Sequence, residues 1–249
     1  MGLGDWLIAT AEAKELNETT GQKVKFGDKK LYFYDKTIFA NNPRIATIDE
    51  DGLWIPNYPG HRPYALKTEN GFMTYNDKFK VTPGEIYFSS DELEWLDKQD
   101  LPKDFILVEP NVKNKFVHAQ NKAWSYWEEL LKHNLPWLQV GDYLSKVYTK
   151  KLITNDFREA LLILSKAKLF VGTDGGLHHA AAALGIPAVV IWTGFSSPKH
   201  LGYDGHTNIH DGSDPCGTYH GVCSHCLLKA NDISVKQVLD AVNTIWHRT

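Results

Sequence analysis

The stretch of sequence that decides the fold is residues 169–194, which read LFVGTDGGLHHAAAALGIPAVVIWTG. An apolar run at 169–171 is followed by a glycine-rich turn and then by four consecutive alanines, and this order predicts a buried strand that leads into a helix. A second apolar run at 188–192 predicts the next strand. The segment is therefore typical of one strand–helix–strand unit of a parallel sheet.

The turn between that strand and that helix has the composition of a phosphate-binding site. Glycines let the backbone come close to a ligand, and the N–H groups of a helix's first turn bind phosphate oxygens with the help of the helix dipole. A tight turn without a ligand is the simpler interpretation. The polar residues beside the glycines, Asp174, His178 and His179, favour a binding site because a turn needs no such cluster.

Strands and helices continue to alternate before this segment. Apolar runs at 105–108 and 137–140 predict strands, and the periodic segments at 123–134 and 157–168 predict helices. Strands that alternate with helices of this length predict parallel pairing. We expect the C-terminal part of the chain to be an α/β domain.

The N-terminal part of the chain has a different character. Residues 5–18 contain neither Gly nor Pro and predict a helix. Short β-prone runs then alternate with Asn, Asp, Gly and Pro, at 24–26, 31–34, 45–48 and 86–88. The polar segment at 98–103 precedes the first strand of the α/β domain, so we place the domain boundary there. The predicted domains are 1–100 and 101–249.

Composition and charge exclude several classes of protein. The chain has 249 residues, of which 43% are hydrophobic and 23% charged, and its net charge is −3. This charge argues against a broad surface for nucleic acid. No run approaches the roughly 20 apolar residues of a transmembrane helix, and the first residues lack the basic start of a signal peptide. We expect a cytoplasmic protein with no transmembrane segment.

Residues 173–187, TDGGLHHAAAALGIP, resemble the nucleotide-sugar motif of the heptosyltransferases in glycosyltransferase family 9. The resemblance implies a GT-B-like α/β fold with two Rossmann-type lobes, of which the N-terminal lobe is reduced. By the spacing to Pro187, the histidine of the family motif matches His179 rather than His178. Gly175 stands where the family often has Thr. The resemblance implies that the donor is bound by Asp174, Gly175, Gly176, Leu177, His179, Thr193 and Gly194.

Two further residues resemble catalytic positions of the family. Lys122, two residues before Trp124, matches a lysine that faces the donor phosphates, and an ammonium there would offset the charge of the leaving diphosphate. Lys113, Lys115 or a solvated role for Lys122 are the alternatives. Asp5, in a Gly-Asp step that opens a helix, matches the catalytic base that takes the proton of the acceptor hydroxyl. Its simpler interpretation is a residue that favours helix starts.

The resemblance implies an inverting, metal-independent glycosyltransferase that needs no cofactor. It would move a sugar, with heptose among the candidates, from a nucleotide-diphosphate donor such as ADP-heptose to a glycan or lipid-linked hydroxyl acceptor. We expect acceptor contacts from Arg44, His61 and Arg62 in the N-terminal loops. The alternative is a catalytically inactive nucleotide-binding or scaffolding protein, because the strand that precedes the Gly-Asp step in the family has no counterpart before Gly2.

The cysteines of the chain lie close together near its C-terminus. Cys223 and Cys226 have the spacing of two zinc ligands, and Cys216 and His220 could complete a tetrahedral set. The spacing of the set is irregular and no second CxxC exists, so buried thiols are the preferred interpretation, redox chemistry is a further one, and we expect no metal. A zinc hydrolase that uses His178 and His179 is disfavoured, since adjacent helical residues point about 100° apart.

Overall fold

The structure is a computed structural model that describes residues 2–28, 30–58, 60–67, 69, 73–112, 117–218 and 221–248. Side chains are described for these residues except 67, 73 and 117. The helices and strands are α1 (Leu3–Thr20), β1 (Val24–Gly27), β2 (Tyr32–Phe33), α2 (Lys36–Phe39), β3 (Leu53–Ile55), β4 (Ala65–Lys67), β5 (Met73–Tyr75), α3 (Ser90–Asp97), β6 (Ile106–Glu109), the 3-10 helix η1 (Val117–Lys122), α4 (Trp127–Leu130), β7 (Trp137–Gly141), β8 (Lys151–Ile153), α5 (Phe157–Leu164), β9 (Leu169–Thr173), α6 (Gly176–Ala183), β10 (Ala188–Ile191), α7 (Pro198–Leu201), β11 (Thr207–Ile209), α8 (Ser224–Asn231) and α9 (Val235–Trp246).

A parallel sheet of six strands organises the C-terminal part of the chain. Its order is β11-β10-β9-β6-β7-β8, and every neighbouring pair is parallel. Counted from β6, this is the doubly wound order 3-2-1-4-5-6. The chain reverses direction along the sheet between β6 and β9, and ligands of such folds bind in the crevice at the carboxyl ends of those two strands.

Side chains of this sheet alternate between two apolar clusters. Ile106 and Val108 of β6 belong to the cluster that α9 covers, whereas Leu107 belongs to the cluster on the other face. Val171 and Phe170 of β9 are divided in the same way. A strand that is buried on both faces has no polar side to present, which is why the central strands are continuous apolar runs.

The N-terminal half packs on one face of this sheet. Its own sheet is small and mixed, with β1 antiparallel to β2 and parallel to β3, while β4 and β5 form a separate antiparallel pair. Trp6, Phe26 and Phe39 lie in the same apolar cluster as Leu107 and Phe170 of the six-stranded sheet. The reduced N-terminal half therefore shares its core with the parallel sheet.

Glycine allows the first turn of α1 to contact the first turn of α6. A Cβ atom on Gly4 would lie 2.8 Å from the Cδ2 atom of His179 and 3.5 Å from the Cα atom of Gly176. A Cβ atom on Gly176 would in turn lie 2.8 Å from the ring of Phe157. Larger residues at these positions would separate the two helix N-termini, which both open onto the crevice of the parallel sheet.

The α/β fold is confirmed, but several predicted elements differ. The predicted strand at 45–48 is reduced to one bridge between Ile45 and Val24. The predicted strand at 86–88 is wrong, because the carbonyl of Tyr87 accepts a hydrogen bond from the buried guanidinium of Arg158 rather than from a strand.

The helix predicted at 123–134 is shorter than expected. Only α4 is helical in this range, and η1 precedes it. The indole N–H of Trp124 donates to the carbonyl of Ile233 at 2.9 Å, which draws the segment before α4 toward the loop between α8 and α9. The edge strands β8 and β11 were not predicted, because they are short and only partly buried. Within the described ranges, no helix combines the length and apolar character needed to cross a bilayer.

Candidate functional site

A cavity of about 280 Å³ lies at the carboxyl edge of the parallel sheet, between β6 and β9. Its volume is close to the lower end of small-molecule sites, which measure roughly 300–1,000 Å³. Both halves of the chain contribute to its wall. The lining residues are Gly2, Leu3, Gly4, Asp5, Arg62, Tyr64, Tyr75, Glu109, Asn111, Val112, His118, Ala119, Lys122, Thr173, Asp174, Gly175, Gly176, His179, Phe195, Ser196 and Leu201.

A buried carboxylate holds the cavity lysine in place. The Nζ atom of Lys122 lies 2.6 Å from Oδ2 of Asp174, and the hydroxyl of Ser196 donates to the same oxygen at 2.6 Å. Asp174 is only 4% exposed, and burial by itself raises the pKa of a carboxyl. The Lys122 ammonium outweighs that effect and, with the nearby histidines, holds the pKa of Asp174 well below its usual range. Asp174 is therefore an anionic anchor for the lysine.

The two adjacent histidines have different surroundings. His179 lines the cavity, and its Nδ1 atom lies 2.9 Å from the hydroxyl of Tyr203. His178 points away into an aromatic environment, with the rings of Trp192 and Tyr203 at 5.4 and 5.2 Å. Burial lowers the pKa of both histidines, and that of His179 lies well below its usual value. Both rings are thus neutral near pH 7.

Asp5 lies in the first turn of α1, where Gly2 is the N-cap. Its Oδ2 atom accepts the N–H of Gly2 at 2.6 Å and lies 3.0 Å from the guanidinium of Arg62. Its Oδ1 atom accepts the hydroxyl of Tyr64. Burial raises the pKa of Tyr64 well above its usual value, so this hydroxyl stays protonated and donates. Asp5 both caps the helix and presents a carboxylate to the cavity.

Two helix N-termini face the cavity. The N-termini of α1 and α6 both open onto it, and each carries the positive end of a helix dipole. The cations of Arg62 and Lys122 also line the cavity, together with the carboxylates of Asp5, Glu109 and Asp174. Gly175, the N-cap of α6, has an extended backbone that any residue can adopt, but a Cβ atom there would lie 3.3 Å from Oε2 of Glu109. Glycine therefore keeps the start of α6 accessible.

Three predicted donor contacts do not line the cavity. The side chain of Leu177 is buried in the apolar core beneath α6, so of this residue only the backbone N–H belongs to the helix turn that opens onto the cavity. Thr193 is buried and its hydroxyl donates to the carbonyl of Asn121 at 2.6 Å. Gly194 lies against His225, whose ring would be 2.8 Å from an added Cβ atom. Thr193 and Gly194 do not line the cavity, because the chain after β10 reaches its wall only at Phe195, and donor binding by the three residues stays a prediction.

The predicted acceptor residues are also divided. Arg62 lines the cavity. Arg44 does not, because its guanidinium forms ion pairs with Glu85 at 2.9 Å and Glu18 at 3.2 Å. His61 lies outside the wall as well, with its ring 4.5 Å from that of Tyr58. Arg44 and His61 are therefore removed from the candidate site.

Several cavity residues were not predicted from the sequence. Glu109 ends β6, and its position at the carboxyl edge beside the chain reversal was a usable signal. Ser196 lies only two residues beyond the predicted Gly194. Tyr64 belongs to the segment 60–64 that the sequence indicates for acceptor contacts, whereas Tyr75 gave no signal, because it comes from a hairpin whose approach to the sheet depends on tertiary packing.

Among the residues that the structure describes, two groups of side chains have the composition of metal sites. Ligand atoms of Asp174, His178 and His179 lie within 4.8 Å of one another, but the Lys122 ammonium already binds Asp174. A second group contains the predicted Cys216, Cys223 and Cys226, joined by His225. His220, the predicted fourth ligand, lies outside the described residues, as do Lys113 and Lys115.

Comparison with known proteins supports the resemblance to glycosyltransferase family 9. Residues 150–226 match the family model described as glycosyltransferase family 9 (heptosyltransferase). No curated protein shows significant sequence similarity to the chain. The matched segment contains α6 and the turn before it, so the resemblance expected from residues 173–187 is confirmed.

Solved structures of glycosyltransferases share the fold. A family 9 glycosyltransferase from Veillonella parvula DSM 2008 has a TM-score of 0.65 at 15% identity, with 100% of this chain and 96% of that chain covered. The iron-containing dodecameric glycosyltransferase TibC from enterotoxigenic E. coli H10407 has a TM-score of 0.66 at 14% identity, with 100% and 74% covered. These similarities confirm the GT-B-like α/β fold.

A further similarity concerns only part of a longer protein. The E. coli ADP-heptose LPS heptosyltransferase II is 18% identical, with a TM-score of 0.48 and 66% of this chain covered. The chain spans 54% of the length of that enzyme.

Proposed function

We propose that this chain is an inverting glycosyltransferase that moves a sugar from a nucleotide-diphosphate donor to a hydroxyl acceptor. One observation carries the proposal: the first turn of α6 and the ammonium of Lys122 face the same cavity at the chain reversal of the parallel sheet. A diphosphate is the part of a donor that this combination binds. The family match supports the proposal because it includes α6.

The diphosphate would bind between the amide groups at the start of α6 and Lys122. A helix terminus contributes about 0.3–1 kcal/mol to such binding, whereas a hydrogen bond to a charged group contributes about 1.5–3 kcal/mol. The amide groups at the start of α6 and the Lys122 ammonium therefore both give hydrogen bonds of the stronger, charged kind to the diphosphate. Asp174 keeps the ammonium in position, and Lys122 supplies the positive charge as the bond between the anomeric carbon and the diphosphate oxygen breaks. The electron pair of that bond leaves with the diphosphate.

Asp5 is the proposed base for the acceptor. As the acceptor oxygen attacks the anomeric carbon from the face opposite the diphosphate, Asp5 takes its proton. Attack from that face inverts the anomeric centre. The carboxylate of Asp5 is oriented by Tyr64 and Arg62, and an acceptor hydroxyl must replace one of these contacts to reach it. Arg62 then becomes available to the acceptor, which fits its place on the cavity wall.

The proposed reaction uses no cofactor, and the cation on the diphosphate is the Lys122 ammonium rather than a metal ion. ADP-heptose is the first donor to test, because the resemblance to the heptosyltransferases implies it. A glycan or lipid-linked hydroxyl is the corresponding acceptor.

A thermal-shift comparison of ADP and AMP tests donor binding. Since the cavity is proposed to recognise the diphosphate, ADP should stabilise the protein much more than AMP, by about 2.7 kcal/mol at 100 times its dissociation constant. Equal stabilisation by ADP and AMP, or by neither, would contradict the proposal. Lys132→Met, which changes an exposed lysine, is the matched control for variants of Lys122.

A second candidate function is nucleotide-sugar binding without transfer. The observation that favours it is the saturation of Asp5, whose two oxygens already accept from Gly2 and Tyr64 and contact Arg62. The two candidates differ in turnover. If the wild type binds the donor but neither transfers nor hydrolyses it, and Asp5→Asn binds the donor equally well, the second candidate function is favoured.

A further inference from the structure

Three thiols and an imidazole converge at the start of α8, next to the cavity but outside it. Cys223 is the N-cap of α8, and His225 and Cys226 belong to its first turn. Cys216 approaches from the loop after β11. The ligand atoms of these four residues, which we call the cysteine cluster, all lie within 4.8 Å of one another.

The spacing within the cysteine cluster is that of a tetrahedral site. The Sγ atoms of Cys216 and Cys226 are 3.1 Å apart, and the whole set lies within 4.8 Å. Ligands that lie about 2.3 Å from a tetrahedral zinc are about 3.8 Å from one another. The separation of 3.1 Å for one pair and the limit of 4.8 Å for the set lie on either side of that value. Three sulfurs and one imidazole also form a ligand set that binds zinc and iron better than it binds harder cations such as magnesium or calcium.

The surroundings of His225 point to a ligand. Its Nδ1 atom is buried and has no hydrogen-bond partner among the described residues. The ring lies against the backbone of Gly194, where an added Cβ atom would be 2.8 Å from Nδ1. A buried polar nitrogen without a partner is unfavourable. A metal ion bound to Nδ1 would be the partner that this nitrogen lacks.

A disulfide explains the cluster less well. A bond between Cys216 and Cys226 would use two of the thiols and leave Cys223 and His225 without a role. The three cysteines of the chain all belong to the cluster, and an odd number cannot pair completely. A shared ion uses all four residues.

The cysteine cluster is connected to the segment that carries Lys122. The backbone N–H of Cys223 donates to Oδ1 of Asn121 at 2.7 Å, and the Nδ2 atom of Asn121 donates to the carbonyl of Gly221 at 2.8 Å. Asn121 is fully buried and directly precedes Lys122. Anything that fixes the start of α8 therefore fixes the backbone that places the cavity lysine.

A second connection reaches the segment that carries Ser196, which also lines the cavity. The backbone N–H of Cys216 donates to the carbonyl of Gly194 at 2.9 Å, two residues before Ser196. Lys122 and Ser196 both bind the same oxygen of Asp174. The cysteine cluster is thus hydrogen-bonded to both segments whose side chains meet at the Asp174 carboxylate, the segment of Lys122 and the segment of Ser196.

We propose that Cys216, Cys223, His225 and Cys226 bind one tetrahedral transition-metal ion, either zinc or iron. Its four protein ligands leave no open position, so the ion is structural and takes no part in sugar transfer. Its role is to fix the segments of Asn121 and Gly194 behind the cavity. The proposal is independent of the enzymatic function, since it rests on the cluster and its hydrogen bonds.

Elemental analysis of the chelator-washed wild-type protein tests this proposal. We expect close to one ion of zinc or iron per chain, and the analysis distinguishes the two. Bound iron gives a thiolate charge-transfer band in the visible spectrum, and cobalt exchanged for zinc gives the visible bands of tetrahedral thiolate coordination. Zinc and iron together below about a tenth of an ion per chain would overturn the proposal.

Single variants sharpen the test. Cys223→Ala and His225→Ala should each lower the metal content and change the cobalt spectrum, whereas His210→Ala, an exposed histidine of the preceding loop, should change neither. If a variant fails to fold, the cobalt spectrum of the wild type still shows whether the site has tetrahedral thiolate coordination. A Cys216–Cys226 disulfide in the wild-type protein as isolated, before any metal is removed, would also contradict the metal site and is found by non-reducing mass analysis.

Discussion

Asp174 and Asp5 are two carboxylates with almost the same partners and different proposed roles. Each lies beside a helix N-terminus, pairs with one cation and accepts one side-chain hydroxyl: Lys122 and Ser196 for Asp174, Arg62 and Tyr64 for Asp5. The side chain of Asp174 is 4% exposed and that of Asp5 is 12% exposed. The partners of a carboxylate therefore do not by themselves define its role.

The position of each carboxylate explains the difference. Asp174 lies between β9 and the first turn of α6, beside neutral histidines, so its charge is used to hold Lys122. Asp5 lies in the first turn of α1, on the side of the cavity that the N-terminal half builds. An acceptor that enters from this side reaches Asp5 before it reaches Asp174. We infer that one carboxylate is an anchor and the other is a base.

The largest expected effect is on turnover in Asp5→Asn. An amide keeps the shape of the carboxylate but cannot take a proton, so kcat should fall about 10²–10⁴-fold. Donor affinity should stay within about twofold, since general-base catalysis and diphosphate binding use different residues. Steady-state transfer kinetics and calorimetry with ADP measure the two quantities. A proportional loss of ADP binding would show that Asp5 belongs to the donor site instead.

Lys122→Met should impair both donor binding and stability. Loss of the cation leaves Asp174 buried and unpaired, which costs about 3 kcal/mol, the lower end for a buried pair because Lys122 is 25% exposed. Transfer should fall about 10²–10³-fold.

Adding Asp174→Asn to Lys122→Met separates the two effects. The double variant should recover most of the stability, because no charge remains buried, but it should not recover ADP binding. Urea denaturation and calorimetry measure these changes, and Lys132→Met is the matched control. Recovery of ADP binding in the double variant would contradict the assignment of Lys122 to the diphosphate.

The two hydroxyls give a smaller and more specific comparison. Ser196→Ala removes a hydrogen bond to a buried charge and should lower the free energy of unfolding by about 1.5–3 kcal/mol. Tyr64→Phe should cost less, under about 1.5 kcal/mol, because water can reach the more exposed Asp5. Its effect on kcat should exceed that of Ser196→Ala, since Tyr64 orients the base. A larger loss of kcat in Ser196→Ala than in Tyr64→Phe would contradict the assignment of Asp5 as the base and Asp174 as the anchor.

Acid sensitivity is the smallest effect and belongs to the Asp174 side. Burial lowers the pKa of His178 and His179, so these rings stay neutral in the folded protein while the unfolded chain takes up protons below about pH 6.5. The contribution of the neutral rings to the free energy of unfolding is therefore complete above about pH 6.5. At lower pH this contribution decreases, by up to about 1.4 kcal/mol per pH unit for each ring. His178→Phe should flatten this dependence in urea titrations, whereas His247→Gln, an exposed control, should leave it unchanged.

The sequence predicted the donor side of the cavity better than the acceptor side. Gly175, Gly176 and His179 lie on consecutive turns of one strand–helix unit, so local pattern and family resemblance place them together. Arg62 and Tyr64 reach Asp5 across more than fifty residues of loops and short strands, and only packing brings them there. This is why Arg62 was predicted together with Arg44 and His61, which point elsewhere.

Errors of register and of edge strands have separate physical causes. Thr193 and Gly194 follow a buried strand directly, and local sequence does not indicate which residue after the strand turns toward the cavity; Phe195 and Ser196 do so. The edge strand β8 is paired on one side and is only three residues long, so it is too short to show a strand pattern in the sequence. The domain boundary at 100/101 remains a prediction.

The most direct measurement of the central claim is a crystal structure of the protein with ADP. The diphosphate oxygens should lie within hydrogen-bonding distance of the backbone N–H groups of Gly176 and Leu177 and of the Nζ atom of Lys122. Asp5 should lie on the opposite side of the sugar position and make no contact with the diphosphate. A diphosphate bound away from the first turn of α6, or side chains that fill this space in the complex, would contradict the claim.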